Sequence, residues 1–303
     1  MYRKIIVGYD GRPTSEDALA FAKLISDATG AELIVAGVFQ FDPLWGGRDP
    51  AFQDAEREYA RDIERAAKSV GAQAEAIPSS SPARGLHELA EESGADLVVV
   101  GSSSAGKLGQ VLGGNVALTL LHGSPCSVAV APRGFAESAP GAIKEITVGF
   151  DGTPESLTAL HDTIDLARAS GAALNVVTVA EPPPIGYGKG GGPNQGWHEL
   201  KDEIEKQMRS RLEETLADLP DDVQAKGVLV TGEADKELAA AATDDGGLLV
   251  LGSRAYGPLR RVLLGSVSRE LLRSAPCAVV VHPRTATDGA QGGQPVSEAQ
   301  SAL

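Results

Sequence analysis

Aromatic side chains make up only 4% of this 303-residue chain, and cysteine occurs twice, as Cys126 and Cys277. The shortage of aromatics leaves Val, Leu, Ile and Ala to fill a core, the usual filling of parallel sheets covered by helices on both faces. Two thiols so far apart argue against a secreted disulfide framework. No run approaches the roughly 18 uninterrupted apolar residues of a membrane span. The start "MYRKIIVGYD" enters an apolar stretch at once, without the pattern of a cleavable leader, so a cytoplasmic protein is expected. Basic residues are in deficit too, 27 Lys and Arg against 41 Asp and Glu, for a formal charge of −14. With no segregated basic patch, such a field excludes nucleic acid and anionic membrane as expected partners. A small anionic ligand would have to be captured locally, by backbone amides and a few arginines.

Dedicated chemistry is equally sparse. His87, His122, His161, His198 and His282 share no ligand spacing with each other or with cysteine, so no metal site is expected. No Ser/His/Asp or Cys/His set stands out, and no catalytic residue is nominated. Cys126 and Cys277 stand just before or at apolar segments, where small thiols pack rather than react.

What is present is a duplication. The stretch "KIIVGYDGRPTSEDALAFAKLIS" from Lys4 returns as "EITVGFDGTPESLTALHDTIDLA" from Glu145, a spacing of 141 residues between Asp10 and Asp151. Further on, "ADLVVVGSSSAGKLGQVLGGNVALTLLHGSPCSVAVAPR" returns as "GGLLVLGSRAYGPLRRVLLGSVSRELLRSAPCAVVVHPR", pairing Gly101 with Gly252 and Cys126 with Cys277 at a spacing of 151. The added residues of the second copy fit its Pro/Gly-rich connection "EPPPIGYGKGGGPNQG". Domains are expected at 1–134 and 143–284, joined by "RGFAESAPGAIK", with a disordered tail at 285–303.

Each copy alternates strand and helix patterns, the signature of right-handed crossovers in a parallel sheet, so the expected class is α/β with two doubly wound domains. In the first copy strands are expected at Lys4–Gly8, Glu32–Phe39, Gln73–Ile77, Leu97–Gly101 and Ser127–Ala131. Helices are expected to begin near Ser15, Ala51, Pro82 and Asn115, with Pro13-Thr14 and Ser81-Pro82 supplying cap and Pro just before the first and third.

Ligands of doubly wound sheets sit beyond the carboxyl ends of strands where the winding reverses, so the residues after strands one and four are the candidates. Strand one ends in "VGYDG" and "VGFDG", placing Asp10 and Asp151 there. Such a carboxylate can accept hydrogen bonds from ribose hydroxyls or an adenine amine, or it can simply cap its own turn. Strand four leads to a loop and then to Gly265-Ser266-Val267-Ser268. If these residues open a helix, its first amides and two hydroxyls form an anion cradle, with Arg254, Arg260 and Arg261 adding charge. The alternative is that Ser266 or Ser268 is only an N-cap. Val38 and Val179 are core candidates first and base contacts second. "GSSSAGKL" from Gly101 imitates a P-loop, but Leu108 stands where magnesium needs Ser or Thr, and neither first strand is followed by Gly-x-Gly-x-x-Gly.

These residues resemble a tandem universal stress protein, two such domains in one chain, over about residues 2–133 and 143–284. Nucleotide-binding members carry Gly, two residues, Gly, nine residues, then Gly with Ser or Thr. The second copy carries it as Gly252, Ala255 in place of the middle Gly, and Gly265-Ser266; the first fits less well, as Gly101, Ser104 in place of the middle Gly, and Gly114-Asn115. The resemblance implies a five-stranded parallel sheet per domain, domains paired through their fifth strands, and ATP, with or without magnesium, between the first-strand Asp and the strand-four loop. It implies Gly149, Asp151, Val179, Gly252, Gly265, Ser266 and Ser268 as the site in the second copy, beside which Arg254, Gly257 and Val267 are further candidates. In the first it implies Gly8, Asp10, Val38, Gly101 and Gly114, with Ser103, Asn115 and Val116 as further candidates. It further implies a homodimeric, nucleotide-responsive regulator of stress adaptation with an unidentified protein partner and at most weak ATP hydrolysis. A nucleotide-independent scaffold and a slow ATPase are the rival readings. Asn115, Ala117, Ser103, Gly109 and Gln110 stand in the first copy where the second has Ser266, Ser268, Arg254, Arg260 and Arg261. The second domain is therefore expected to be the stronger nucleotide site.

Overall fold

A computed structural model of the chain describes residues 2–40, 50–105, 107–182, 195–253 and 264–283. The first domain runs β1 (Lys4–Gly8), α1 (Pro13–Thr29), β2 (Glu32–Gln40), α2 (Pro50–Val70), β3 (Gln73–Ser79), α3 (Pro82–Ser93), β4 (Leu97–Gly101), α4 (Asn115–Leu120) and β5 (Ser127–Ala131). A one-turn helix, α5 (Phe135–Ser138), lies in the connection. The second repeats the order with β6 (Glu145–Gly149), α6 (Pro154–Ser170), β7 (Ala173–Ala180), α7 (Gln195–Ala217), β8 (Ala225–Thr231), α8 (Ala234–Ala241), β9 (Gly247–Gly252), α9 (Ser266–Ser274) and β10 (Ala278–His282). The strand expectations hold with small extensions of β2 and β3. The first helix differs: Pro13 and Thr14 lie inside α1, and Arg12 is its N-cap, without a side-chain cap bond. Proline's missing N–H costs nothing at the first helical position, which is why the helix begins there. For α3, Ser81 caps as expected, its side chain accepting from the Arg84 amide at 3.3 Å.

Among the described residues ten strands form one sheet in the order β3-β2-β1-β4-β5-β10-β9-β6-β7-β8. Every described pair is parallel except β5 with β10, which meet antiparallel in the register Val279 to Val130, Val280 to Ala129 and Val281 to Val128. The fifth strands thus join the domains, as the resemblance implied. In β1, Ile5 and Val7 face one helix layer and Ile6 the other, and all three are fully buried. That alternation across an apolar run lets helices cover both faces.

Beside the β5–β10 seam, His282, 2% exposed, lies 3.0 Å by its Nδ1 from Ser127 Oγ and 3.3 Å by its Nε2 from Tyr2 Oη. Asp162 Oδ2 is 3.4 Å from the same Nδ1. Both thiols are buried, and burial pushes Cys126 and Cys277 up to about 12, so they pack and do not ionise near neutrality. Among the described residues no helix is long and apolar enough to cross a membrane.

Candidate functional site

Both windings reverse beside the first strand, between β1 and β4 in one domain and between β6 and β9 in the other. A cleft opens at each reversal, ≈ 410 Å³ in the first domain and ≈ 490 Å³ in the second. These volumes lie in the range of small-molecule sites.

The carboxylates sit at the strand ends on tight turns. Gly11 and Gly152 have φ of 77° and 76°, a left-handed conformation that a side chain would strain, so glycine follows the Asp in both copies. Asp10 Oδ1 accepts from the Arg12 amide at 3.1 Å. Asp151 Oδ1 accepts from the Thr153 amide at 3.0 Å and the Thr153 hydroxyl at 2.6 Å. Each Asp therefore caps its turn through one oxygen while also lining its cleft. The two readings open in the sequence are compatible.

At the opposite wall α9 begins with Gly265 as N-cap, at φ −77° and ψ 172°, with no side-chain cap bond. Ser266 is the first helical residue and not the cap. The helical ladder starts with the Arg269 amide donating to the Gly265 carbonyl at 3.1 Å, so the amides before Arg269 precede it. Gly265, Ser266, Val267 and Ser268 all line the cleft. In the first domain α4 starts the same way after Gly114 but is only six residues long.

The motif glycines serve packing as well. A Cβ on Gly101 would lie 1.8 Å from the Thr14 carbonyl oxygen, and one on Gly252 would lie 2.6 Å from that of Glu155. The first turns of α1 and α6 press on β4 and β9 at these points. Gly114 is different, with its nearest neighbour 3.7 Å from a built Cβ.

Between carboxylate and helix the walls are apolar. Val177, Val179, Leu238 and Leu251 face the second cleft; Ala36, Val38, Leu86 and Val100 face the first. Gly149 and Gly252 complete the second cleft, and Gly8, Gly101, Ser103, Gly114, Asn115 and Val116 the first. Arg254 and Gly257 lie outside the described residues, as do Ala255, Arg260, Arg261 and the expected tail. Every other nominated residue is brought to one of the two clefts.

Sequence reasoning missed several wall residues. Tyr59 on α2 donates its hydroxyl to the Tyr9 carbonyl at 3.1 Å beside the first cleft, and burial, then the Asp10 charge, raises its phenol pKa. Arg12 and Arg133 line the same cleft, and Thr153, Glu155 and Ser156 line the second. The recurring Pro-Arg after each fifth strand was the one available signal for Arg133.

Ser253 is a further hydroxyl of the second wall. It is 3% exposed, lines the second cleft, and its Oγ has no hydrogen-bond partner among the described residues. Its counterpart Ser102 is satisfied, donating to the Ala131 carbonyl at 2.8 Å and accepting from the Leu112 amide at 3.1 Å. The second cleft thus combines a carboxylate, an apolar wall and the start of a helix. Among the described residues no group of three or more His, Cys, Asp or Glu could hold a metal ion.

A model of the Universal stress protein family matches the chain twice, over residues 1–132 and 142–283. The chain belongs to the universal stress protein family. Universal stress protein Rv2319c of Mycobacterium tuberculosis is 28% identical over 298 residues, covering 92% of this chain and 99% of that protein. Universal stress protein Rv1996 of the same organism is 27% identical over 300 residues, covering 91% and 94%. The crystal structure of a universal stress protein from Archaeoglobus fulgidus superposes with a TM-score of 0.65 at 19% identity, covering 93% of this chain and 98% of that one, a likeness of fold.

Proposed function

We propose that this tandem universal stress protein is an adenine-nucleotide-binding regulator, with ATP its ligand and the second cleft its stronger site. The observation that carries the reading is the composition of that cleft. A carboxylate, Asp151, stands at one end, four aliphatic side chains form the middle, and the first turn of α9 with Ser266 and Ser268 stands at the other. That order matches ribose or base edge, base face and phosphate. The carboxylate accepts from hydroxyl or amine, the apolar wall covers the ring, and helix amides favour negative oxygen. Ser266 and Ser268 add hydroxyls that Asn115 and Ala117 do not supply in the first cleft. A cytoplasmic setting, self-association into a homodimer and an unidentified protein partner belong to the same proposal.

Thermal unfolding against ATP concentration, with magnesium, tests it. A ligand bound only by the native state raises the melting temperature steadily with the logarithm of its concentration. The expected result is such a rise, reduced by Asp151→Ala more than by Asp10→Ala, with adenine nucleotide detected by mass spectrometry in the purified protein. An unchanged melting temperature at millimolar ATP overturns the reading.

A further inference from the structure

The strand order is symmetric about the β5–β10 seam, yet the two ends of the seam differ in chemistry. The register that sets Val281 opposite Val128 and Val279 opposite Val130 carries on to set His282 opposite Ser127 at one end and Ala278 opposite Ala131 at the other. By the repeat spacing of 151, Ala131 is the counterpart of His282 and Ala278 that of Ser127. The neighbours differ likewise at the spacing of 141, with Ile143 standing for Tyr2 and Phe21 for Asp162. Ala131, Ala278, Ile143 and Phe21 are all buried in one apolar cluster. One end of the seam is therefore wholly apolar, and the other brings together a hydroxyl, an imidazole, a phenol and a carboxylate.

The polar groups meet across the seam. Ser127 and Tyr2 belong to the first domain, His282 and Asp162 to the second. Nδ1 of His282 lies 3.0 Å from Ser127 Oγ and 3.4 Å from Asp162 Oδ2, and its Nε2 lies 3.3 Å from Tyr2 Oη. The Tyr2 and His282 rings stack with centroids 6.2 Å apart. Ser127, Tyr2 and His282 are all buried, so each relies on the others and not on water for its hydrogen bonds.

A fifth strand paired with its own kind would meet different chemistry. Two first domains joined in the equivalent register would set Ser127 opposite Ala131 at both ends, and two second domains would set His282 opposite Ala278 at both ends. In the first case two buried hydroxyls lose the imidazole. In the second each imidazole keeps Asp162 of its own domain but loses Ser127, and Ile143 takes the place of Tyr2. A buried polar group deprived of its partner is penalised by its desolvation, so both like pairings are disfavoured and the unlike one is not. The rest of the pairing discriminates less. Val128 and Val130 answer to Val279 and Val281, and Ala129 against Val280 is a difference of size alone, which neighbouring apolar side chains absorb more readily than an unmet hydrogen bond.

We propose that Ser127 and His282 form a recognition pair that selects the unlike domain as the partner of each fifth strand. Tyr2 and Asp162 are positioning residues, holding the imidazole from its two sides. The surface around β5 then fits one kind of partner, a fifth strand that brings an imidazole opposite Ser127. An apolar seam between duplicated domains could close on either copy; one buried polar contact present only in the unlike arrangement gives it a single answer. Copies of the chain that associate do so through other surfaces than like fifth strands.

Cutting the folded chain tests this with both halves present. A protease site is placed at Gly141, which is exposed in the connection. Isotope-labelled and unlabelled preparations of the cut protein are incubated together, in urea below the unfolding transition, until the labels have exchanged, and native mass spectrometry counts like and unlike pairs. In the native sequence unlike pairs are expected to exceed their statistical share over like pairs at least about tenfold, a difference within the reach of one unmet buried polar group. Ser127→Ala/His282→Ala sets alanine against alanine in every pairing and should bring the ratio to within about threefold of the statistical one. Either single substitution should do the same, because the satisfied contact exists only in the unlike pair. His282→Asn, which keeps a polar atom toward Ser127, should retain part of the preference. Exchange of labels establishes that halves have parted and paired anew. Like pairs at their statistical share in the native sequence, or a preference undiminished in the double variant, overturns the inference. The intact chain gives an independent decision: losses of stability that simply add for Ser127→Ala and His282→Ala in urea denaturation show no pair and overturn it as well.

Discussion

The amide of Gly113 donates to the carbonyl of Leu272 at 2.7 Å, tying the strand-four loop of the first domain to the last turn of a second-domain helix. The Val111 amide makes a parallel bond to the Ala275 carbonyl at 3.1 Å. Helix α9 therefore lines one cleft with its first turn and braces the loop of the other with its last. Leu272 is fully buried, and Leu272→Ala is expected to cost about 2–5 kcal/mol through the cavity it leaves. Urea denaturation measures this, and a loss below about 1 kcal/mol would contradict the packing described.

One sheet runs through both domains, and Val128, Val130, Val279 and Val281 at its seam are fully buried. An interface of this kind resembles a core and not a hinge, so the domains should unfold together. A single calorimetric transition, with coincident calorimetric and van't Hoff enthalpies, is expected. Two resolved transitions would show that the seam does not couple the halves.

The motif glycines Gly101 and Gly114 should respond differently to the same change. Gly101→Ala drives a methyl into the Thr14 carbonyl and is expected to destabilise by about 1–3 kcal/mol as α1 is forced away. Gly114→Ala meets only ordinary van der Waals contact, with an ordinary backbone conformation, so its stability should stay within about 1 kcal/mol of the native chain. Melting temperatures of the two variants decide the matter.

The buried thiols carry a pH prediction. Burial raises Cys126 and Cys277 from 9.0 to about 12 in the folded chain. Above about pH 9 the unfolded chain releases protons that the native chain still holds, so these groups lower stability as pH rises through that interval and contribute nothing to its pH dependence below it. Neither thiol should react with a disulfide reagent at pH 8 until the protein is unfolded. Rapid labelling of the native protein would place a thiol at the surface.

Removing the His282 imidazole tests the polar contacts beside the seam. His282→Ala leaves Ser127 and Tyr2 without this buried partner and is expected to cost about 1–3 kcal/mol. Chemical denaturation alongside Ser127→Ala would show whether the two effects are coupled.

Much of this architecture is written locally. The paired "VGYDG" and "VGFDG" endings, the apolar runs and the helix-opening prolines specify strand, turn and helix through residues a few positions apart, and the duplication announces itself. The winding rule then carries Asp10, Asp151, Val38, Val179 and the glycines to the clefts, where the structure places them. Tyr59 was not legible, because its position beside the first cleft depends on how α2 lies across β2. A Cβ on Gly37 would come within 3.0 Å of Tyr59 and 2.4 Å of Ile63, a closeness no local pattern declares. The choice of Gly265 over a serine as the α9 cap was equally hidden, since both sequences permit a helix there.

The sequence by itself determined the α/β class, the twofold repetition and the identity of the strand-end carboxylates, because periodicity and turn chemistry act over short spans of chain. Only the tertiary structure decided that β5 and β10 join antiparallel, that α9 serves both clefts, and that Arg12 and Arg133 line the same one. Those relationships join residues more than a hundred positions apart, and packing of complementary surfaces settles them where no local preference can.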